Sequence, residues 1–275
     1  MIPAQDLYKI AQQLRRDVIE MDYRAGAGHI AGPLSSADLF TYLYFGGGAR
    51  LNAADPWWEG RDRVVLSAGH YCPVLYASLA RAGYFPIEEL STFMQINSRL
   101  PGHPERRGDD SNLPGVEATT GPLGQGVSVA VGIALALKLK RSDSRVFCIM
   151  SDGELQEGQV WEAFMFAVRR QLANLTFVID ANGIQIEHYT EEIVTGQIAP
   201  KLEGFGLQVL ETEGNDLMKL EEVMKIAKET RDTPTAIVMH TTAGKGVTFM
   251  EHNPKWHDAT ITKEQYEHAM KELHV

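Results

Sequence analysis

Three short runs constrain this chain more than anything else in it: RVFCIM (145–150), LTFVID (175–180) and TAIVMHT (235–241). Each is apolar at successive positions rather than at every second one, so a strand made from it buries both faces. Stretches with helical spacing lie between and beside them, over about 157–171 and 215–230, and a further strand is expected at LQVLET (207–212). Doubly buried strands alternating with helices predict a three-layer α/β fold, a parallel sheet with helices on both faces. Upstream, Leu7, Ala11, Leu14, Val18 and Met21 recur at helical spacing and predict a helix over 4–25, ended by the glycine-rich AGAGHIAGP (25–33). Ser35 to Asp38 offer caps for a helix over ADLFTYLYF (37–45). Val64–Leu66 reads as a short strand that ends in a loop at His70, followed by a helix through YCPVLYASLARAGY (71–84). VSVAVGIALALKLKR (127–141) is apolar nearly all round and is expected to be a buried helix. A last helix starts near Thr262.

With 275 residues, 44% of them hydrophobic, the chain has enough apolar side chain for one large core, and a single domain over 1–275 is expected. A net charge of −10 with no basic run argues against a nucleic-acid partner. No apolar run approaches the ~18 residues of a membrane span, and MIPAQDLYKI lacks the pattern of a signal peptide. Cys72 and Cys148 stand far apart in apolar settings, which fits a reducing compartment. The cytoplasm is the expected location.

In a parallel sheet, ligands gather beyond the carboxyl ends of the strands. There the sequence places an acidic, glycine-marked turn, IMSDGELQEG (149–158), and after the next strand DANG (180–183). A lone Asp after a strand often only caps a helix, and Asn-Gly often only makes a turn. Asp152 and Asn182, however, are thirty positions apart, the length a strand–helix–strand unit needs to set two strand ends side by side. A carboxylate and an amide oxygen together suit Mg²⁺, with Ca²⁺ or Mn²⁺ as substitutes. Gly153 lets backbone approach closely, and the helix after it offers N–H groups to an anion. Metal plus diphosphate is the ligand these features describe. The Gly/Pro/polar stretch over 97–126 is long for a structureless connection and points to function as well.

SDGELQEGQVWEAF…NLTFVIDANGIQI resembles the thiamine diphosphate motif. AGHIAGPLSSADLF, LSAGH (66–70), LPGHPE (100–105), GVEATTGPLGQG (115–126) and HTTAGKGVTFMEHNPKWH (240–257) are similar to transketolase loops. The resemblance covers about residues 8–258 and is to the N-terminal, pyrophosphate-binding subunit of a split transketolase. It implies transfer of a two-carbon ketol unit between sugar phosphates, of the pentose phosphate kind, using thiamine diphosphate and Mg²⁺. A C-terminal, pyrimidine-binding subunit would be the partner, in a heterotetramer. By the same resemblance Asp152, Asn182 and the carbonyl of Ile184 would hold the metal. Gly153 and His70 would meet the diphosphate with His257 on its far side, and Gly121 and Leu123 would pack the thiamine. His29, His103 and His257 would serve sugar hydroxyls and proton transfer. Glu157 would complete the catalytic set at the contact with the partner. The remaining histidines, His188, His240, His252, His268 and His274, take no role from the resemblance and are expected at the surface.

Two departures stand out: Ser151 replaces the first Gly of the motif, and Ile30 replaces a Pro after His29. A specialised transketolase acting on an unusual sugar phosphate is an alternative. So are a 1-deoxyxylulose-phosphate-synthase-like chain, a non-catalytic scaffold and a 2-oxo acid dehydrogenase alpha-type subunit.

Overall fold

The apolar runs become strands of one sheet. The computed structural model describes residues 2–109, 111–193 and 196–274. In it β1 (Arg63–Leu66), β2 (Val146–Ser151), β3 (Leu175–Ala181), β6 (Gln208–Glu213) and β7 (Thr235–His240) lie in the order β1-β2-β3-β7-β6. Every pairing in this sheet is parallel. Two dipeptide strands, β4 (Ile184–Gln185) and β5 (His188–Tyr189), make a separate antiparallel hairpin. The helices in chain order are α1 (Ala4–Ala25), α2 (Ala31–Tyr44), α3 (Cys72–Arg81), α4 (Gln125–Leu139), α5 (Gly158–Arg169), α6 (Thr190–Ile193), α7 (Ile198–Gly204), α8 (Leu217–Glu229) and α9 (Lys263–Glu272).

Successive strand residues go to opposite faces, and here both faces are covered. Val64, Phe147, Ile149, Val178 and Ile237 pack with α1, α2, α3 and α8. Val65, Cys148, Phe177, Ile179 and Val238 pack with α4, α5 and α7. That is why these strands carry no polar alternation: a polar residue at any of these positions would lose water without gaining a partner. The three-layer architecture expected from the sequence is present.

Two expectations need correction. First, α2 starts at Ala31, not Ala37. Pro33 sits in the first turn, where a missing N–H costs nothing. Ser35 and Ser36 do not cap the helix: Ser36 donates back to the Gly32 carbonyl at 2.9 Å, and the Ser35 hydroxyl turns inward to β3. Gly32 is required there, since an added Cβ would lie 2.0 Å from Cε1 of Tyr71. Second, α4 is not buried all round. Gly126, Val127, Ala130, Val131, Ala134 and Leu137 face the sheet, but Val129, Gly132, Ala136 and Leu139 are exposed, Leu139 at 75%. One stripe of the helix is enough to cover the strands, and none of the described residues covers the other. The hairpin, α6 and α7 were not expected from the sequence.

Candidate active site

The corner at the carboxyl ends of β2 and β3 is built around carboxylates taken out of water. The adjacent pairing of these strands sets Ser151 opposite Asp180, which brings Asp152 and Asn182 together as expected. Asp152 Oδ2 accepts from the Gly183 N–H and the Thr190 hydroxyl, both at 3.0 Å, and Oδ1 accepts from the Gly153 N–H at 2.9 Å. Burial, and then the charge of Asp180, push the Asp152 carboxyl up to about 7 against these three donors. The Asn182 side-chain oxygen accepts from the Ile184 N–H at 3.0 Å. Its NH₂ group donates to Asp180 (2.9 Å), Tyr71 (3.0 Å) and Ser35 (3.3 Å), which turns the oxygen away from them.

The donor chemistry fits a hard cation. Among the described residues no group of three His, Cys, Asp or Glu side chains is placed to hold a metal ion. A cation here would have one carboxylate, one amide oxygen and main-chain carbonyls to draw on, the mix that Mg²⁺ takes with phosphate and water. Asp152 Oδ1, with one N–H donor, keeps a lone pair for it. A buried carboxyl shifted upward is also a place where a cation is favoured.

Around this corner four loops bring four histidines together. The His29 ring lies 4.9 Å from His70, 5.3 Å from His257 and 6.4 Å from His103, centroid to centroid, and His70 lies 5.4 Å from His257. The chain locks this meeting by pairing distant segments: His29 bridges to Asp258 in antiparallel fashion, and the Ile30 N–H donates to the His257 carbonyl at 3.3 Å. Ile30, fully buried, anchors its loop by apolar packing where a Pro was expected. On the other side, Gly69 admits the 119–122 loop, because a Cβ there would lie 2.9 Å from the Gly121 nitrogen. Gly121 in turn faces the His103 ring, and a Cβ added to it would lie 3.4 Å from the ring's Cγ.

All four imidazoles are held below their ordinary pKa. Burial is the first cause in each case, with neighbouring imidazoles adding to it for His29, His70 and His257. His257 falls to about 4 in spite of the opposing pull of Asp258. Near pH 7 the cluster is therefore uncharged, each ring with one donor and one acceptor nitrogen. His70 Nε2 is buried without a hydrogen-bond partner. An orphaned imidazole nitrogen of this kind suits a phosphate oxygen.

The remaining expected residues are less enclosed. Glu157 is exposed at the start of α5. Leu123 is half-buried, and its carbonyl accepts from Gln159 at 2.9 Å. Gly153 opens a single 3-10 turn, and its N–H is used by Asp152, so the free helix N-terminus expected there is in part already occupied. Ser151 is accommodated in β2, and its Oγ accepts the Glu154 N–H at 3.3 Å. His188, His240, His252, His268 and His274 are exposed, as expected.

Three residues of the corner were not expected from the sequence. Asp180 is fully buried, Thr190 donates to Asp152, and Glu154 ties the strand ends to α4. Glu154 Oε1 accepts from Ser67 at 2.5 Å and from the Gly124 N–H at 2.6 Å. Asp180 and Glu154 did carry a signal, as acidic residues inside or just after apolar runs.

A family model described as transketolase, thiamine diphosphate binding domain, matches residues 6–274. The chain belongs to the transketolase family. This transketolase chain is 39% identical over 272 residues to a 6-deoxy-6-sulfo-D-fructose transketolase subunit of Clostridium sp. (strain MSTE9), covering 98% of this chain and 96% of the relative. It is 37% identical over 264 residues to an apulose-4-phosphate transketolase subunit of Phocaeicola vulgatus, covering 96% and 92%. Against the transketolase of Treponema pallidum it is 36% identical but spans 41% of that protein's length. The crystal structure of Campylobacter jejuni transketolase superposes with a TM-score of 0.91 at 34% identity, over 99% of this chain and 43% of that one. Transketolase chains thus occur at two lengths, and this one matches the shorter kind nearly end to end.

Proposed function

We propose that this transketolase chain is the thiamine diphosphate- and Mg²⁺-binding subunit of a split enzyme, a single domain that performs ketol transfer only with a C-terminal, pyrimidine-binding partner. The observation that carries the reading is the convergence of four neutral histidines from four loops on one oxygen-donor corner.

In this reading Asp152, Asn182 and the Ile184 carbonyl hold the cation, which carries the diphosphate charge. The free Nε2 of His70, with Gly153 nearby, meets a phosphate oxygen. Gly121 and Leu123 line the thiamine side. His29, His103 and His257 bind the hydroxyls of a ketose phosphate or aldose phosphate and pass protons between them. A neutral imidazole can give a proton from one nitrogen and take one on the other. When bound, thiamine diphosphate supplies the carbon nucleophile that carries the two-carbon unit. The groups that grip the sugar phosphate, and the glutamate that activates the pyrimidine, would come from the partner, with Glu157 at the contact.

Support for a partner lies in the bare stripe of α4 and in the length of the relatives called subunits. An assembly of two chains of each kind in the cytoplasm is part of the proposal. A second reading is favoured by the names of those relatives: a specialised enzyme whose substrate is a sulfo sugar or apulose 4-phosphate rather than a common pentose phosphate.

The test is reconstitution. Purified alone, the chain should give no transfer from xylulose 5-phosphate to ribose 5-phosphate. Added to a transketolase C-terminal subunit encoded beside it, with thiamine diphosphate and Mg²⁺, it should give transfer from this or another ketose. Turnover by the chain alone would overturn the split-site reading.

A further inference from the structure

The side chain of Asp180 bonds to no expected ligand other than Asn182, yet three other segments converge on it. Ser35 Oγ of α2 (2.6 Å), Tyr71 Oη beside His70 (2.9 Å) and the Asn182 side-chain nitrogen (2.9 Å) all donate to its Oδ2. Thr241, at the start of the loop after β7, donates to Oδ1 at 2.5 Å. The carboxyl is fully buried. Three of the donors are tied by sequence to residues of the site: α2 follows His29, Tyr71 follows His70, and Asn182 is itself an expected ligand. The Tyr71 ring stands 4.7 Å from that of His70, edge to face, and is pressed against Gly32 of α2.

A carboxylate can only accept hydrogen bonds. It therefore fixes the sense of every group that reaches it. The NH₂ end of Asn182 must face Asp180, so the oxygen end must turn to the Ile184 N–H. The hydroxyl of Tyr71 must point at β3, which fixes the turn carrying His70.

We infer that Asp180 is the positioning residue of this site, setting the orientation of the Asn182 amide and, through Tyr71, the placement of His70. The inference rests on the cofactor reading for what the positioned groups do, but not for the positioning itself. Partners behind metal ligands of this kind typically govern about 10–100-fold in metal affinity.

Two substitutions separate orientation from charge. Asp180→Ala removes the anchor and should weaken Mg²⁺-dependent thiamine diphosphate binding by about 10–100-fold. Asp180→Asn removes the charge but keeps the geometry: its oxygen can face Asn182, Tyr71 and Ser35, while its NH₂ donates to the Thr241 hydroxyl. It should bind nearly as well as wild type. Equal losses in the two variants would mean that charge, not position, is what matters, and would overturn the inference.

Should Asp180→Ala fail to fold, Tyr71→Phe takes its place. Removing that one hydroxyl should shift the His70 imidazole signals in NMR spectra of the metal-free chain and weaken binding less than 10–100-fold. Unchanged Asn182 amide and His70 signals in the metal-free variants would sink the inference whatever the cofactor does. If wild type and Asp152→Ala bind the cofactor alike, it is the proposed function that falls, and those NMR signals still decide the role of Asp180.

Discussion

A carboxylate inside protein is costly when ionised, and Asp152 shows how a site can use that cost. In the unfolded chain it would ionise near 3.8, whereas in the folded chain burial holds it to about 7. The folded state then binds more protons than the unfolded one between those values, so without a cation its stability falls as pH rises through that window. A divalent cation should reverse the loss. We expect Mg²⁺ affinity to climb with pH and level off above about 7, seen as a thermal shift with Mg²⁺ larger at pH 8 than at pH 5.5. A shift independent of pH would remove Asp152 from the metal. Asp152→Ala should abolish Mg²⁺-dependent cofactor binding while leaving the metal-free chain at least as stable as wild type. The histidines run the other way. His257 is depressed to about 4, so the unfolded chain takes up protons first and stability is lost as pH falls from about 6.5 towards 4. His257→Asn should flatten that acid limb in urea titrations. His103→Ala should lower turnover of the reconstituted enzyme ~10²–10⁴-fold with cofactor affinity little changed. His70→Ala should weaken cofactor binding too, and small, equal effects from the two would return both to plain loop residues.

Elements differed in how plainly the sequence announced them. β2, β3 and β7 were legible because burial on both faces leaves a continuous apolar run, and α1 because its buried stripe keeps a strict helical period. The start of α2 was hidden by Gly32 and Pro33, which read as breakers until Tyr71 is seen packed on the first and the second is seen in the opening turn. The β4–β5 hairpin has two residues per strand and an exposed return, too little for any periodicity to register. In the site, Asp152, Asn182 and the histidines stood out through spacing and resemblance. Asp180 did not, since its donors come from positions 35, 71 and 241 as well as from Asn182 nearby, and no local pattern joins them. Main chain meets main chain closely where α4 begins. A Cβ on Gly126 would lie 2.5 Å from Ser67 Cα, and backbone cannot move aside as a side chain can. Gly126→Ala should cost ~1–3 kcal/mol by overpacking, measured as a lower urea midpoint with an unchanged slope. A neutral result would show that α4 sits looser on β1 than this contact implies.

For the molecule as a whole, the exposed stripe of α4 sets an expectation about association. Leu139→Glu should change the stability of the isolated chain by no more than ~0.5 kcal/mol, as a surface change does. The same change should weaken assembly with the partner, read by sedimentation of the mixed subunits, and unaltered assembly would place the contact elsewhere. The stitching of the chain's early and late segments has a different consequence, one of timing. Arg16 of α1 donates to the carbonyls of Met270 and Leu273 at 2.8 Å, Tyr23 stacks on Tyr266 at 4.3 Å, and His29 bridges to Asp258. During synthesis at roughly 5–20 residues per second, α1 therefore waits on the order of tens of seconds for the segment that completes its surroundings. Through that interval the Arg16–Tyr23 side of α1, which the last helix covers, and the His29 loop are available to chaperones or to aggregation, so the yield of soluble protein should respond to how fast the ribosome travels, even where the finished fold is indifferent to it.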